Sequence, residues 1–173
     1  MKLRKVISNA IASDPAYFNE GILGKKNYDY QKYIEQPNTW GGSVELNIFS
    51  DYFKTEIMAY DVTRKRGNCF GEAKYSQRVY LLYDGIHYDV LVWNLVPSSP
   101  QSDFDVTVFN AKDSAIEREF IKVMEKEHAS GKYVDEYNYT LQCLQCGQKF
   151  VGNSAAVAHA KATQHDQFGQ ASN

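Results

Sequence analysis

Two cysteines and two histidines near the C-terminus have the spacing of a metal site. Two residues separate Cys143 from Cys146, twelve separate Cys146 from His159, and five separate His159 from His165. Thiolate and imidazole suit a borderline-soft, tetrahedral ion, and this order and spacing is the Cys2His2 arrangement of a zinc finger, with the histidine pair at the long end of its range. A hairpin would supply the thiolates and one face of a helix the imidazoles. Phe150 would fill the small core, with Ala156 or Val157 at its second apolar position. With protein at all four corners, the one zinc ion would be structural rather than catalytic.

A second constellation is Gly85-Ile86-His87-Tyr88-Asp89. Alternate residues of a strand share a face, so His87 and Asp89 would point the same way. An aspartate beside a histidine fixes the imidazole tautomer and stabilises its protonated form, which is the base-and-orienter half of a nucleophilic triad. The spacing by itself equally fits ordinary strand residues. The chain has three cysteines, and Cys69 is the one outside the finger. It is expected in a polar loop spanning 63–71, in Gly67-Asn68-Cys69-Phe70, with no helix N-terminus to lower its pKa. The neighbouring Arg64-Lys65-Arg66 would be screened by solvent. Cys69 therefore reads as an ordinary loop cysteine.

The elements that must position these groups follow from periodicity. Leu3, Val6, Ile7, Ala10 and Ile11 form one helical stripe, stopped by Asp14-Pro15. Short helices are expected around Tyr17–Gly24 and Tyr28–Glu35. Ser43 is expected to cap a helix that buries Val44, Leu46, Ile48, Phe49 and Phe53. Strands are expected at Glu56–Val62 and Arg78–Tyr83, with Asp84-Gly85 as a two-residue hairpin turn returning through Ile86–Trp93. Pro97–Pro100 reads as a linker, Val106–Phe109 as a short strand, and Asp113 or Ser114 as the cap of a helix ending at Gly131. A strand from Tyr137 to Leu141 leads into the finger.

Length and composition limit the partners. The 173 residues suffice for one domain and an appendage, and the net charge of −2 with a pI near 6.1 gives no nucleic-acid footprint. The finger helix, with Ser154, Ala155, Ala156, Ala158 and Lys161, has little to read bases with. No apolar run is long enough to span a bilayer, and sparse cysteine usage suits a reduced compartment, cytoplasm or nucleus.

Three stretches carry a resemblance. Arg78 to Asp89 resembles the end of an OTU (ovarian tumour) domain, a papain-like cysteine protease fold that removes ubiquitin. Thr39-Trp-Gly-Gly-Ser-Val-Glu-Leu46 resembles its helix-opening motif. Cys143–Phe168 resembles the finger of the branch of ubiquitin thioesterases that partner an AAA-type segregase ATPase. The resemblance implies an α+β fold, with an OTU-like domain over residues 1–131 and a ββα finger over 137–168. It makes His87 the general base and Asp89 its acidic neighbour, with ubiquitin or polyubiquitin as the partner. The family's nucleophile lies in an Asp-Asn-x-Cys-Leu-Phe motif opening a helix, and this chain has no such motif. The expectation is thus an N-terminally incomplete deubiquitinase that also lacks the module holding the ATPase. The alternative is an inactive ubiquitin-binding or scaffold protein. Without the nucleophile helix, the helix at Leu3–Ile11 and the strands should lose apolar cover, and the chain outside the finger should be poorly stable.

Overall fold

The computed structural model describes residues 2–96, 104–131, 133, 140–165 and 167–170. The expected linker at Pro97–Pro100 and residues 137–139 of the expected finger strand lie outside them.

Four helices open the chain: α1 Lys2–Ser13, α2 Glu20–Leu23, α3 Asn27–Glu35 and α4 Ser43–Phe53. Their apolar faces meet in one core of Ile7, Ile11, Phe18, Leu23, Tyr30, Ile34 and Ile48. The cap of α4 is Gly42, and Ser43 is already helical. Gly42 has no side chain to cap with, so the buried Glu45 reaches back and accepts the Gly42 N–H at 2.6 Å. Its other oxygen accepts the Tyr30 hydroxyl at 2.7 Å. Burial and the Glu45 carboxylate push the Tyr30 pKa upward. Phe53, expected in the core, is 53% exposed, because the last residue of α4 lies beyond the packed surface and touches Phe49 and Tyr52 instead.

The central sheet has the order β2-β1-β3-β4, from strands β1 Glu56–Asp61, β2 Arg66–Phe70, β3 Gln77–Tyr83 and β4 Tyr88–Leu91. β1 and β3 run parallel, while β2 and β4 are antiparallel to their neighbours. The polar stretch 63–71 is therefore not a loop. Asp61 accepts the Arg64 N–H at 2.9 Å and pairs with its guanidinium at 2.7 Å, which folds the turn tightly and returns the chain as an edge strand. Exposed Arg66, Gly67 and Asn68 suit an edge. A Cβ at Gly67 would sit 2.7 Å from the Met58 sulfur and 3.1 Å from the Tyr60 ring, so a larger residue there would make them shift.

Two further pairs, β5 Trp93–Asn94 with β6 Asp105–Val106, and β7 Phe109–Asn110 with the start of β3, replace the single strand expected at Val106–Phe109. Helix α5, Ser114–Ser130, is capped by the Asp113 carboxylate and stopped by Gly131 in the left-handed region. It packs Phe120 and Met124 against Tyr60, Val62, Tyr80, Leu91 and Phe109 on one face of the sheet, while Val123 stays exposed. Arg78 joins the layers, pairing with Glu56 at 2.7 Å and Glu117 of α5 at 3.3 Å.

The opposite sheet face is less covered. Registers Ala59–Leu81, Leu81–Val90 and Tyr83–Tyr88 align an apolar row on it. Val79, Leu81, Tyr83 and Tyr88 are only half-buried, and Val90 is 55% exposed. The finger follows as β8 Thr140–Cys143, β9 Lys149–Val151, α6 Gly152–Thr163 and β10 Phe168–Gln170. No helix among the described residues is long and apolar enough to cross a membrane.

Candidate functional site

The finger brings its four expected ligands together. Cys143 ends β8, Cys146 lies in the knuckle before β9, and His159 projects from α6. The helix stops at Thr163, where Gln164 turns left-handed (φ 61°) and carries His165 back toward the thiolates. This is why the long histidine spacing works: the second ring comes from beyond the helix and presents Nδ1, whereas His159 presents Nε2. The Cys143 sulfur lies 3.5 Å from His165 Nδ1, the Cys146 sulfur 3.5 Å from His159 Nε2, and the two nitrogens 3.2 Å apart. All four ligand atoms lie within 4.8 Å of one another. A tetrahedral zinc with sulfur at about 2.3 Å and nitrogen at about 2.0–2.1 Å puts S–N edges near 3.6 Å and the N–N edge near 3.4 Å. The donor set and its spacings therefore fit zinc. Burial alone would push the Cys143 thiol up, but the N–H groups of Cys146 and Gln145 outweigh it and hold the thiol below its ordinary range. Of the two core positions considered, Ala156 is buried and Val157 is 48% exposed. Strand β10, which pairs with β8, had no signal in the sequence pattern.

The second site lies where the first helices meet the hairpin. A cleft of about 400 Å³ is lined by Arg4, the 37–41 loop with Trp40, and Ile86, His87 and Tyr88. Two of the stretches that carried the resemblance thus face each other across one cleft. Arg4 had no sequence signal, yet it fixes one wall. Its guanidinium donates to the carbonyls of Ile34 at 2.8 Å, Thr39 at 2.6 Å and Pro37 at 3.2 Å.

The other wall is the His87 turn, and here the sequence expectation needs correcting. Register pairs Tyr83 with Tyr88, so Asp84–His87 is a four-residue turn, and His87 precedes β4. Asp84 decides this. Its Oδ1 accepts the N–H groups of Ile86 at 2.8 Å and His87 at 2.7 Å, a local pattern that displaces the tighter turn. His87 and Asp89 still share a side, with Nδ1 and Oδ1 3.3 Å apart, both side chains well exposed.

Cys69 is remote from this cleft. It pairs with Met58 of β1, whose row continues through Tyr80 to Leu91 of β4. Three strand spacings alone separate Cys69 from β4 by roughly 14 Å. Cys69 is half-buried on β2 rather than exposed in a loop. Burial first, then Glu56, Glu72 and Glu117 against the opposing Arg78, push its thiol up to about 11. It lies away from the imidazole.

Comparisons with known proteins agree with this geometry. Residues 137–171 match the family model for the ubiquitin thioesterase OTU1 C-terminal C2H2-type zinc finger. Over 172 residues the chain is 38% identical to the ovarian tumour domain-containing deubiquitinating enzyme 2 of Arabidopsis thaliana, aligning 96% of this chain with 82% of that protein. The chain belongs to the OTU deubiquitinase family. Ubiquitin thioesterase OTU1 of Dictyostelium discoideum is 41% identical over 167 residues, covering 96% of this chain and 51% of that protein. The Homo sapiens protein of the same name is 36% identical over 171 residues, covering 98% and 48%. The chain thus spans about half the length of these OTU1 relatives. A solved OTU domain in complex with ubiquitin superposes with a TM-score of 0.69 at 28% identity, covering 77% of this chain and 74% of that one. The α+β OTU fold followed by a C2H2 finger is therefore the architecture of this chain.

Proposed function

We propose that this chain is the base- and finger-bearing part of a deubiquitinase. In this reading it hydrolyses the bond after the C-terminal glycine of ubiquitin, with a thiol supplied from sequence outside the 173 residues. The observation that carries it is the His87 cleft, which holds an accessible imidazole with Asp89 at 3.3 Å but no cysteine among the described residues. His87 takes the proton from the incoming thiol, and the thiolate attacks the glycine carbonyl. The imidazolium then gives its proton to the departing amine, leaving a thioester. Water attacks the thioester with His87 again as base, which releases the ubiquitin carboxylate and restores the thiol. Asp89, 3.3 Å from Nδ1, keeps the ring oriented. The half-covered row Val79, Leu81, Tyr83, Tyr88 and Val90 supports a further helix packing on that sheet face.

One zinc ion, held by Cys143, Cys146, His159 and His165, supplies cross-linking and no bond-making in this reading. Partnership with an AAA-type segregase, and action in the cytoplasm or nucleus, belong to the same proposal. The second reading, binding ubiquitin without cleaving it, is favoured by the remoteness of Cys69 from His87.

The test joins this chain to an upstream helix opening with Asp-Asn-x-Cys and measures ubiquitin-amide hydrolysis. The fusion should cleave, and His87→Ala should abolish turnover while leaving ubiquitin binding intact. Hydrolysis surviving His87→Ala would remove His87 from the chemistry. A folded fusion that binds ubiquitin and never cleaves it would support the second reading.

A further inference from the structure

We propose that Asp84 is a positioning residue for the His87 base, an inference that rests on the reading of His87 given above. Asp89 lies beside the imidazole, but nothing about Asp89 fixes the backbone that carries the ring. Asp84 does so from both sides of His87. Its carboxylate accepts the His87 N–H at 2.7 Å, and its own N–H donates to the His87 carbonyl at 3.2 Å. The same carboxylate oxygen holds the Ile86 N–H at 2.8 Å. Peptide units on both sides of the His87 Cα are thereby tied to one residue.

The turn is braced from its other end as well. Gly85 is buried with φ 104°, a conformation that L side chains rarely adopt. Its carbonyl accepts the Tyr83 hydroxyl at 2.6 Å, and the Tyr83 ring stacks on Tyr88 with centroids 4.5 Å apart. The turn therefore has a fixed inner side, and His87 borders the cleft with Trp40. An ionised carboxylate is a stronger acceptor for two N–H groups than a neutral amide oxygen. Division of labour follows: Asp89 orients the ring and Asp84 sets where the ring is.

Hydrogen exchange of the zinc-loaded 173-residue chain tests this, read by NMR at the Ile86 and His87 amides. Asp84→Ala removes the acceptor, and both amides should exchange about ten-fold faster or more, as expected for losing a charge-assisted bond. Asp84→Asn keeps an oxygen at the same place and should restore most of the protection. Unchanged exchange in Asp84→Ala overturns the inference, as does an Asn variant no better than Ala. Loss of protection at Tyr80 and Phe120 together with the turn would also overturn it, by making Asp84 a general support of the sheet. Exchange reports where the turn holds His87 rather than what its imidazole does. Failure of this inference is thus separate from survival of hydrolysis in the His87→Ala fusion, which would overturn the base assignment alone.

Discussion

Cys69 and His87 show how position decides what a reactive residue type can do. A thiol raised to about 11 has about a hundredth of the thiolate of an ordinary cysteine near pH 7.5. Greater intrinsic nucleophilicity recovers part of that deficit. In zinc-loaded protein, Cys69 should therefore alkylate with iodoacetamide at least several-fold more slowly than a free thiol in a peptide, as followed by mass spectrometry. Equal rates would mean that the Glu56 and Glu72 surroundings do not act on it. At the turn, burial alone would raise the Asp84 carboxyl, but the N–H groups of His87 and Ile86 outweigh it and hold its pKa low. A depressed carboxylate contributes stability that is full above its unfolded value, about 4, and is lost as pH falls through the folded one. The acid limb of the stability profile should therefore be shallower in Asp84→Asn below about pH 4, measured by denaturant unfolding.

At the scale of elements, Arg4 is the hinge pin between α1, the end of α3 and the Trp40 loop. Arg4→Ala leaves three carbonyls without their charged donor and should destabilise the helical core by about 1–3 kcal/mol. In a Trp93→Phe background, Trp40 fluorescence should become more quenchable by iodide. Unaltered quenching would mean that the loop holds itself. Arg4 was illegible in the sequence because its partners are backbone carbonyls thirty or more residues away. By contrast, α1, α3, α4 and α5 were readable from their stripes and stop signals, and β1 and β3 from their apolar runs. Strand β2 was hidden because its exposed first half, Arg66-Gly67-Asn68, is polar, as an edge strand can be. The four-residue turn at Asp84 was misread because Asp-Gly also suits a tighter hairpin, and the side-chain bond that decides between them is visible only in three dimensions. The Cys/His cluster was legible because residue type and spacing are nearly the whole requirement for such a site.

For the whole molecule, stability has two separate sources. Among the described residues the finger's hydrophobic core is Cys143, Phe150 and Ala156, too small to hold itself without metal. Wild-type protein should carry one zinc per chain by elemental analysis. Chelation, or His159→Ala, should remove the far-UV signal and exchange protection of residues 140–170 while α1 to α5 persist. Protection surviving in metal-free protein would contradict a zinc-built finger. The larger unit has its own cores and leaves the Val79–Val90 face partly open. In the proposed reading, that face, the remote Cys69 and the cleft without a cysteine fit a nucleophile supplied from outside these residues.

Intact-mass analysis of the zinc-loaded 173-residue chain, incubated with ubiquitin carrying a C-terminal thiol-reactive electrophile, tests that claim most directly. The predicted result is no covalent adduct under conditions where the thiol-bearing fusion is labelled fully. An adduct on the unfused chain, mapped to Cys69, would show that this chain carries its own activated thiol and would contradict the division between base and nucleophile.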